Sequence, residues 1–319
     1  MKSSVGHIPV MLSEVLKALE PHDQGIYIDG TFGRGGYARA LLMAAKTQVF
    51  GIDRDPDAIA AGQKMVKEFA PRLTLMQGLF GEMEPLLASR NVTAVDGITF
   101  DLGVSSPQID DAERGFSFMK DGPLDMRMSH EGVTAANIVN ESGERELANL
   151  IFKLGEERFA RRVAKRIVET RRQAPITRTL QLAGIVRKAV PRSSDGIDPA
   201  TRTFQALRMA VNDELGELRC GLGAAERLLK PDGRLAVVSF QSLEDRCVKD
   251  FLRERSAHAT RGSRHAPVAG SAAAPSFLLF ARKAQSPSAT EIAVNPRARS
   301  ARLRVAERTA APAFSEGTA

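Results

Sequence analysis

Gly25-Ile26-Tyr27-Ile28-Asp29-Gly30-Thr31-Phe32-Gly33-Arg34-Gly35-Gly36-Tyr37 reads as a short apolar strand, a turn holding four glycines and the start of a helix near Tyr37. Glycine lets a backbone turn sharply and approach a ligand with no Cβ in the way. The first N–H groups of a helix lack partners inside the helix. A strand, glycine turn and helix in that order make a nucleotide-type loop.

The dinucleotide pattern G-x-G-x-x-G brings backbone up to a pyrophosphate. Here the glycines follow a carboxylate, Asp29, which is a poor neighbour for a pyrophosphate. It suits an ammonium group such as the methionine end of S-adenosylmethionine carries. The next apolar run, Gln48-Val49-Phe50-Gly51-Ile52-Asp53, ends in a second carboxylate, where a ribose diol would be gripped. Taken alone, the glycine turn serves equally as a tight left-handed connection. With both carboxylates in place, the adenosyl-ligand reading is preferred.

Working outward, strands are expected at 26–29, 48–53, 72–77 and 97–101, with helical patterns between them, one opening at Asp55-Pro56-Asp57. This alternation implies a parallel sheet covered by helices on both faces. The rhythm stops after Asp101, and 112–205 shows no strand pattern. A helix is expected over 156–168, with Phe159, Val163, Ile167 and Val168 on its apolar face. Another is expected from 203 to 229, halted by Lys230-Pro231-Asp232-Gly233 before a strand at 234–240. The fold class is therefore α/β, a Rossmann-like sheet with an inserted all-helical domain. The sheet domain is expected over 6–111 and 206–308, the insert over 112–205 and a disordered tail over 309–319. Residues 256–290 read as a flexible loop with one strand-like island at Phe277-Leu278-Leu279-Phe280.

The net charge of +7 points to an anionic partner, or to a basic surface that serves solubility. Between 153 and 192 there are 12 Lys/Arg against 3 Asp/Glu, so the basicity is concentrated in the insert. A nucleic-acid face carried by Arg161, Arg162, Lys165 and Arg166 is preferred over a solvated helix surface, which usually mixes signs. Cys220 and Cys247 are too few for a disulfide framework, fit the cytoplasm and are expected to be packing residues. The five histidines show no ligand spacing, and no metal is expected. No apolar run approaches a membrane span, and the start of the chain carries no signal-peptide pattern.

The carboxyl ends of the strands, where such sheets bind ligands, converge on four places: Asp29 to Gly36, Asp53, Gly78-Leu79-Phe80 and Asp101. The last leads Asp101-Leu102-Gly103-Val104-Ser105-Ser106-Pro107-Gln108, a loop whose carboxylate and hydroxyls suit a site, the alternative being a plain polar turn. At this point the chain resembles the MraW family of small-subunit ribosomal RNA methyltransferases. The resemblance covers about 6–308 and rests on several segments. They are His7-Ile8-Pro9-Val10-Met11-Leu12, the glycine loop, Ile52-Asp53-Arg54-Asp55, and Asp101 to Gln108 with Arg114-Gly115-Phe116-Ser117-Phe118 and Gly122 to Met128. Further on come Gly155-Glu156-Glu157-Arg158, Thr201 to Arg208, Ser239 to Arg246 and Asn295 to Ser300.

The resemblance implies a class I methyltransferase sheet, S-adenosylmethionine as donor, and N4 of a P-site cytidine in 16S rRNA as acceptor. It places donor contacts on Gly33, Gly35, Gly36, Tyr37, Asp53, Phe80, Asp101 and Gln108. Tyr37 and Gln241 stand where the family commonly has histidine. Asp101, Ser105 and Ser106 are the candidate acceptors for the hydrogens of the target amine, in a loop that only partly matches the Pro-Pro-aromatic motif of other amino methyltransferases. Three rivals remain at this stage: a DNA amino-methyltransferase, a dehydrogenase, and a ribosome-assembly module without catalysis. The oligomeric state is open between monomer and homodimer.

Overall fold

The four apolar runs expected as strands are strands, three of them ending in a carboxylate. β1 (Ile26–Asp29), β2 (Gln48–Asp53), β3 (Leu73–Gln77) and β4 (Val95–Asp101) are all parallel. In this computed structural model the described residues are 9–191, 196–256 and 274–314. Four helices accompany these strands: α1 (Leu12–Leu19), α2 (Gly36–Ala44), α3 (Pro56–Phe69) and α4 (Met83–Ala88). α3 starts as Asp55-Pro56-Asp57 implies. The Asp55 carboxylate accepts the Asp57 N–H at 3.0 Å, and Pro56 occupies a position where its missing N–H costs nothing.

The chain then enters a unit of its own, Val104–Glu214. It holds α5 (Ser106–Asp110), α6 (Ala135–Glu141), α7 (Glu144–Gly155), α8 (Ala160–Arg171), α9 (Thr179–Ala189) and α10 (Ala200–Val211), with no strand among its described residues. Its core joins Leu147 and Ile151, Val163 and Ile167, Leu182 and Val186, and Phe204 and Leu207. The insert was expected over 112–205; the helical unit begins earlier and ends later. The helix expected over 156–168 is displaced. Glu156 takes a left-handed conformation at φ 49°, so α7 ends there and α8 begins only at Ala160. Val163, Ile167 and Val168 are buried as expected, and Phe159, half-buried, precedes the helix. The helix expected over 203–229 is two helices. Asp213 turns left-handed at φ 44°, and the Asn212 amide donates to the carbonyls of Met126 and Arg208, ending α10.

The other unit resumes with α11 (Glu214–Leu228), β5 (Leu229–Ser239), α12 (Ser242–Ser256), β6 (Phe277–Leu279), α13 (Ala289–Val294) and β7 (Arg302–Arg308). The sheet order is β3-β2-β1-β4-β5-β7-β6, with β7 antiparallel to both its neighbours. Lys230-Pro231-Asp232-Gly233 does not precede β5. It forms an irregularity inside the strand, where the β4 register jumps from Val95↔Leu229 to Gly97↔Arg234. Successive β5 residues feed opposite faces: Leu235 and Val237 join Phe100 and α4, α11 and α12 side chains, while Ala236 and Val238 join Val15, Leu41 and Tyr27. Burial on both faces explains the nearly unbroken apolar runs.

The strand-like island expected within 256–290 is β6, and described residues of that loop and of the expected tail are hydrogen-bonded into the unit. Within the loop expected over 256–290, Ser276 donates to Glu226 at 2.5 Å and Gln285 bridges to Leu303; 257–273 lie outside the described residues. Within the tail expected over 309–319, the Thr309 hydroxyl donates to the Pro275 carbonyl and the Phe314 N–H to Glu226; 315–319 lie outside the described residues. The buried carboxylate of Glu226 gathers these segments. Among the described residues no helix is long and apolar enough to cross a membrane. Cys247 packs against the core as expected, whereas Cys220 is exposed.

Candidate functional site

β1 lies between β2 and β4, so the crossovers run in opposite directions from it, and the carboxyl ends of β1 and β4 mark the switch point where such sheets bind ligands. Asp29 ends β1 and is fully buried. Its oxygens accept the N–H groups of Ala38, in the first turn of α2, at 3.1 Å and of Thr31 at 3.4 Å. It therefore shapes the glycine loop and ties down the start of α2, which the sequence reading did not foresee. Burial pushes its carboxyl up to about 7, against the pull of those two N–H groups, and the nearby Asp53 raises it further.

The glycines have separate jobs. Gly35 sits at φ 71°, left-handed, and donates its N–H to the Phe32 carbonyl at 2.6 Å. Gly36 opens α2 where a Cβ would stand 2.1 Å from the Pro9 ring. We expect Gly36→Ala to lower stability by about 1–3 kcal/mol, as overpacking does. Urea unfolding measures it, and an unchanged midpoint would show that Pro9 gives way without cost. Gly33 donates to Asp53 Oδ2 at 2.7 Å, and Asp55 donates to Oδ1 at 2.8 Å. Asp53 thus pins the loop while keeping lone-pair capacity for a further donor. Burial raises its carboxyl, and the Asp55 and Gly33 N–H groups oppose that rise.

Asp101 ends β4. Its N–H donates to the Thr31 hydroxyl at 2.7 Å, which locks the β4 end to the glycine loop. Its Oδ1 is shut off from solvent and has no hydrogen-bond partner among the described residues. Burial, with the charges of Asp29 and Glu244 added, pushes this carboxyl up to about 8. Glu244 is itself buried and accepts the Phe240 and Gln241 N–H groups at 2.9 and 3.0 Å, closing the turn after β5. Tyr37 is buried, with its hydroxyl donating to the Val10 carbonyl, and burial together with Asp101 and Asp29 drives its phenol well up. Phe80 is half-buried; its ring lies 4.8 Å from that of Phe100 and fills the space beside Gly221, while the Phe100 ring fills that beside Gly30.

One unit thus brings together Gly33, Gly35, Gly36, Tyr37, Asp53, Phe80 and Asp101. Thr31 and Glu244 join them, from the glycine loop and from the Ser239 to Arg246 stretch, without any signal of their own in the sequence. Three carboxylates at adjoining strand ends repel one another, and a cation placed among them would restore their charge. Ser105, Ser106 and Gln108 belong to the helical unit. There Gln108 is buried and its Oε1 accepts the Ser105 N–H at 2.9 Å, holding the start of α5. Arg161, Arg162, Lys165 and Arg166 are all exposed on α8, with Lys165 and Arg166 reaching Glu169 at 4.0 and 3.5 Å.

Comparison with known proteins adds to this geometry. The model of the MraW methylase family matches residues 4–309. The ribosomal RNA small subunit methyltransferase H of Paramagnetospirillum magneticum is 61% identical over 309 residues, covering 97% of this chain and 97% of that protein. The protein of the same name from Rhodospirillum centenum is 62% identical over 313 residues, covering 98% and 95%. That of Rhodospirillum rubrum is 55% identical over 319 residues, covering 99% and 98%.

Proposed function

The chain belongs to the MraW methylase family, and from that premise we propose that it transfers the methyl group of S-adenosylmethionine to N4 of a P-site cytidine in 16S rRNA. It is an enzyme of the S-adenosylmethionine-dependent rRNA methyltransferase class; the base and the atom are the proposal. The observation that carries the site is the buried Oδ1 of Asp101, without a hydrogen-bond partner among the described residues and set among neighbouring carboxylates. Such a place favours a ligand bearing positive charge, as a sulfonium donor does. It disfavours the pyrophosphate of a nicotinamide cofactor, which counts against the dehydrogenase reading.

The exocyclic amine of cytosine is a weak nucleophile because its lone pair is delocalised into the ring. Asp101 would accept one of its hydrogens, help the nitrogen pyramidalise and receive the proton as the methyl is transferred. Ser105 and Ser106 are proposed as further acceptors. Holding amine, methyl and sulfur in line contributes on the order of 7–11 kcal/mol. The base must leave its stack to reach the donor. Gly33, Gly35, Gly36, Tyr37, Asp53, Phe80, Asp101 and Gln108 are the proposed donor contacts. Arg161, Arg162, Lys165 and Arg166 are the proposed phosphate contacts on the small subunit. Both cysteines are free, which supports action in the cytoplasm.

Asp53→Ala is expected to weaken S-adenosylmethionine binding by about 1.5–3 kcal/mol, the range for hydrogen bonds to a charged group. Isothermal titration measures this, and wild-type affinity in the variant would remove Asp53 from the site. For the substrate, the test is competition between RNA and DNA strands of one sequence for methylation. RNA should compete far better, and equal competition would favour a DNA methyltransferase.

A further inference from the structure

Two stretches that carry the family resemblance, Gly155-Glu156-Glu157-Arg158 and Thr201 to Arg208, take no part in the donor site. The fold brings them together at one turn of the helical unit. A Cβ on Gly155 would stand 2.4 Å from the Arg202 carbonyl oxygen. Arg202 Nη1 donates to the Glu156 carbonyl at 3.2 Å, and the Gln205 amide donates to the Leu154 carbonyl at 3.2 Å. The turn between α7 and α8 is shaped from within by Glu157, which is buried and accepts the Phe159 N–H at 2.7 Å. The Arg158 guanidinium lies over the Phe159 ring at 4.8 Å.

Around that turn the surface is unusual. Phe152, in the last turn of α7, is 61% exposed, and it is the one exposed aromatic side chain among the described residues of this unit. A lone exposed apolar group needs no explanation. The segments that meet at this turn, however, also carry exposed cations: Lys153 on α7, Arg158 in the turn, Arg161 and Arg162 at the start of α8, and Arg202 on α10. The exposed acid of the turn is Glu156. An aromatic face set among cations is the surface that single-stranded nucleic acid uses, bases stacking on the ring and phosphates meeting the charges. A protein or lipid partner would ask for a broader apolar area than one phenyl ring.

We infer that the α7–α8 turn binds a single-stranded stretch of the substrate RNA, with an unstacked base on Phe152 and the flanking phosphates on Lys153, Arg158, Arg161, Arg162 and Arg202. The inference rests on the rRNA substrate proposed above and names the part of the helical unit that grips it. Phe152 supplies affinity that salt does not screen, and the cations supply the part that salt does.

The test uses the full chain and a short single-stranded RNA in fluorescence anisotropy across a salt series. Phe152→Ala should weaken binding about 5- to 150-fold, the loss of one base stack, with the salt slope unchanged. Phe152→Tyr should restore wild-type affinity. Arg158→Gln and Arg202→Gln should each lower the slope by about 0.7. Against an abasic strand of equal length, Phe152→Ala should match wild type. Wild-type affinity of Phe152→Ala on the intact strand would overturn the inference, as would a loss that persists on the abasic strand or that tyrosine fails to restore. Binding of both strands equally by the wild type would remove the stack yet leave the rRNA reading standing. Failure of the wild type to bind either strand would remove both.

Discussion

Asp101→Ala is expected to slow methyl transfer at saturating donor by about 10²–10⁴-fold, the range for one positioned acid–base group. Donor affinity should change far less, because an acceptor for the amine matters chiefly in the transition state. The expectation stems from Oδ1, which has no hydrogen-bond partner among the described residues, and from the Thr31 hydroxyl that fixes the Asp101 backbone. The pH dependence has a definite sign. With its carboxyl near 8 in the ligand-free protein, Asp101 is largely protonated below that pH and cannot accept a proton. The rate at low donor concentration should therefore rise as pH increases through about 8. At saturating donor the positive sulfonium should favour the carboxylate and move that rise to lower pH. Single-turnover rates over a pH series measure both. A variant as fast as wild type would remove Asp101 from the chemistry.

Replacing Arg161, Arg162, Lys165 and Arg166 together with glutamine should flatten the plot of log K against log salt for RNA binding by about three units. Each phosphate contact contributes a slope of roughly 0.7–0.9, depending on strandedness. All four side chains are exposed, and the opposite face of α8 is buried through Val163, Ile167 and Val168, so the charges are not needed for packing. S-adenosylmethionine affinity should be spared, because none of the proposed donor contacts lies on α8. Filter binding at several salt concentrations gives the slope. A slope equal to wild type would show that α8 presents an ordinary solvated face.

β1, β2 and β4 were legible because each is buried on both faces and ends in a carboxylate. Ile26–Asp29 and Gln48–Asp53 lie where the apolar runs placed them. β7 escaped notice: Arg302-Leu303-Arg304-Val305-Ala306-Glu307-Arg308 largely alternates charged with apolar side chains, a period-2 signal easily taken for a basic tail. The break between α10 and α11 was hidden because Asn212 and Asp213 interrupt a helical pattern without a proline or glycine, and the Met126 carbonyl that receives the Asn212 amide is 86 residues away. Glu156 and Glu157 look like ordinary helix-starting acids. Only the fold makes one a left-handed stop and the other a buried acceptor.

Within the site, the spacing from Asp29 through the glycines to Asp53 pointed to an adenosyl ligand, because chemistry at strand ends is local in sequence. What it could not convey was the second duty of each carboxylate. Asp29 holds α2, Asp53 holds Gly33, and Glu244 closes the turn after β5. Those bonds depend on which strand ends lie side by side, which is a property of the sheet.

The most direct test of the central claim is to incubate the purified protein with methyl-labelled S-adenosylmethionine and small ribosomal subunits, then map the labelled nucleoside. The account predicts label on N4 of a single P-site cytidine of the 16S rRNA, lost with Asp101→Ala. Label on another base or atom, or no transfer from a protein that binds the donor, would contradict it.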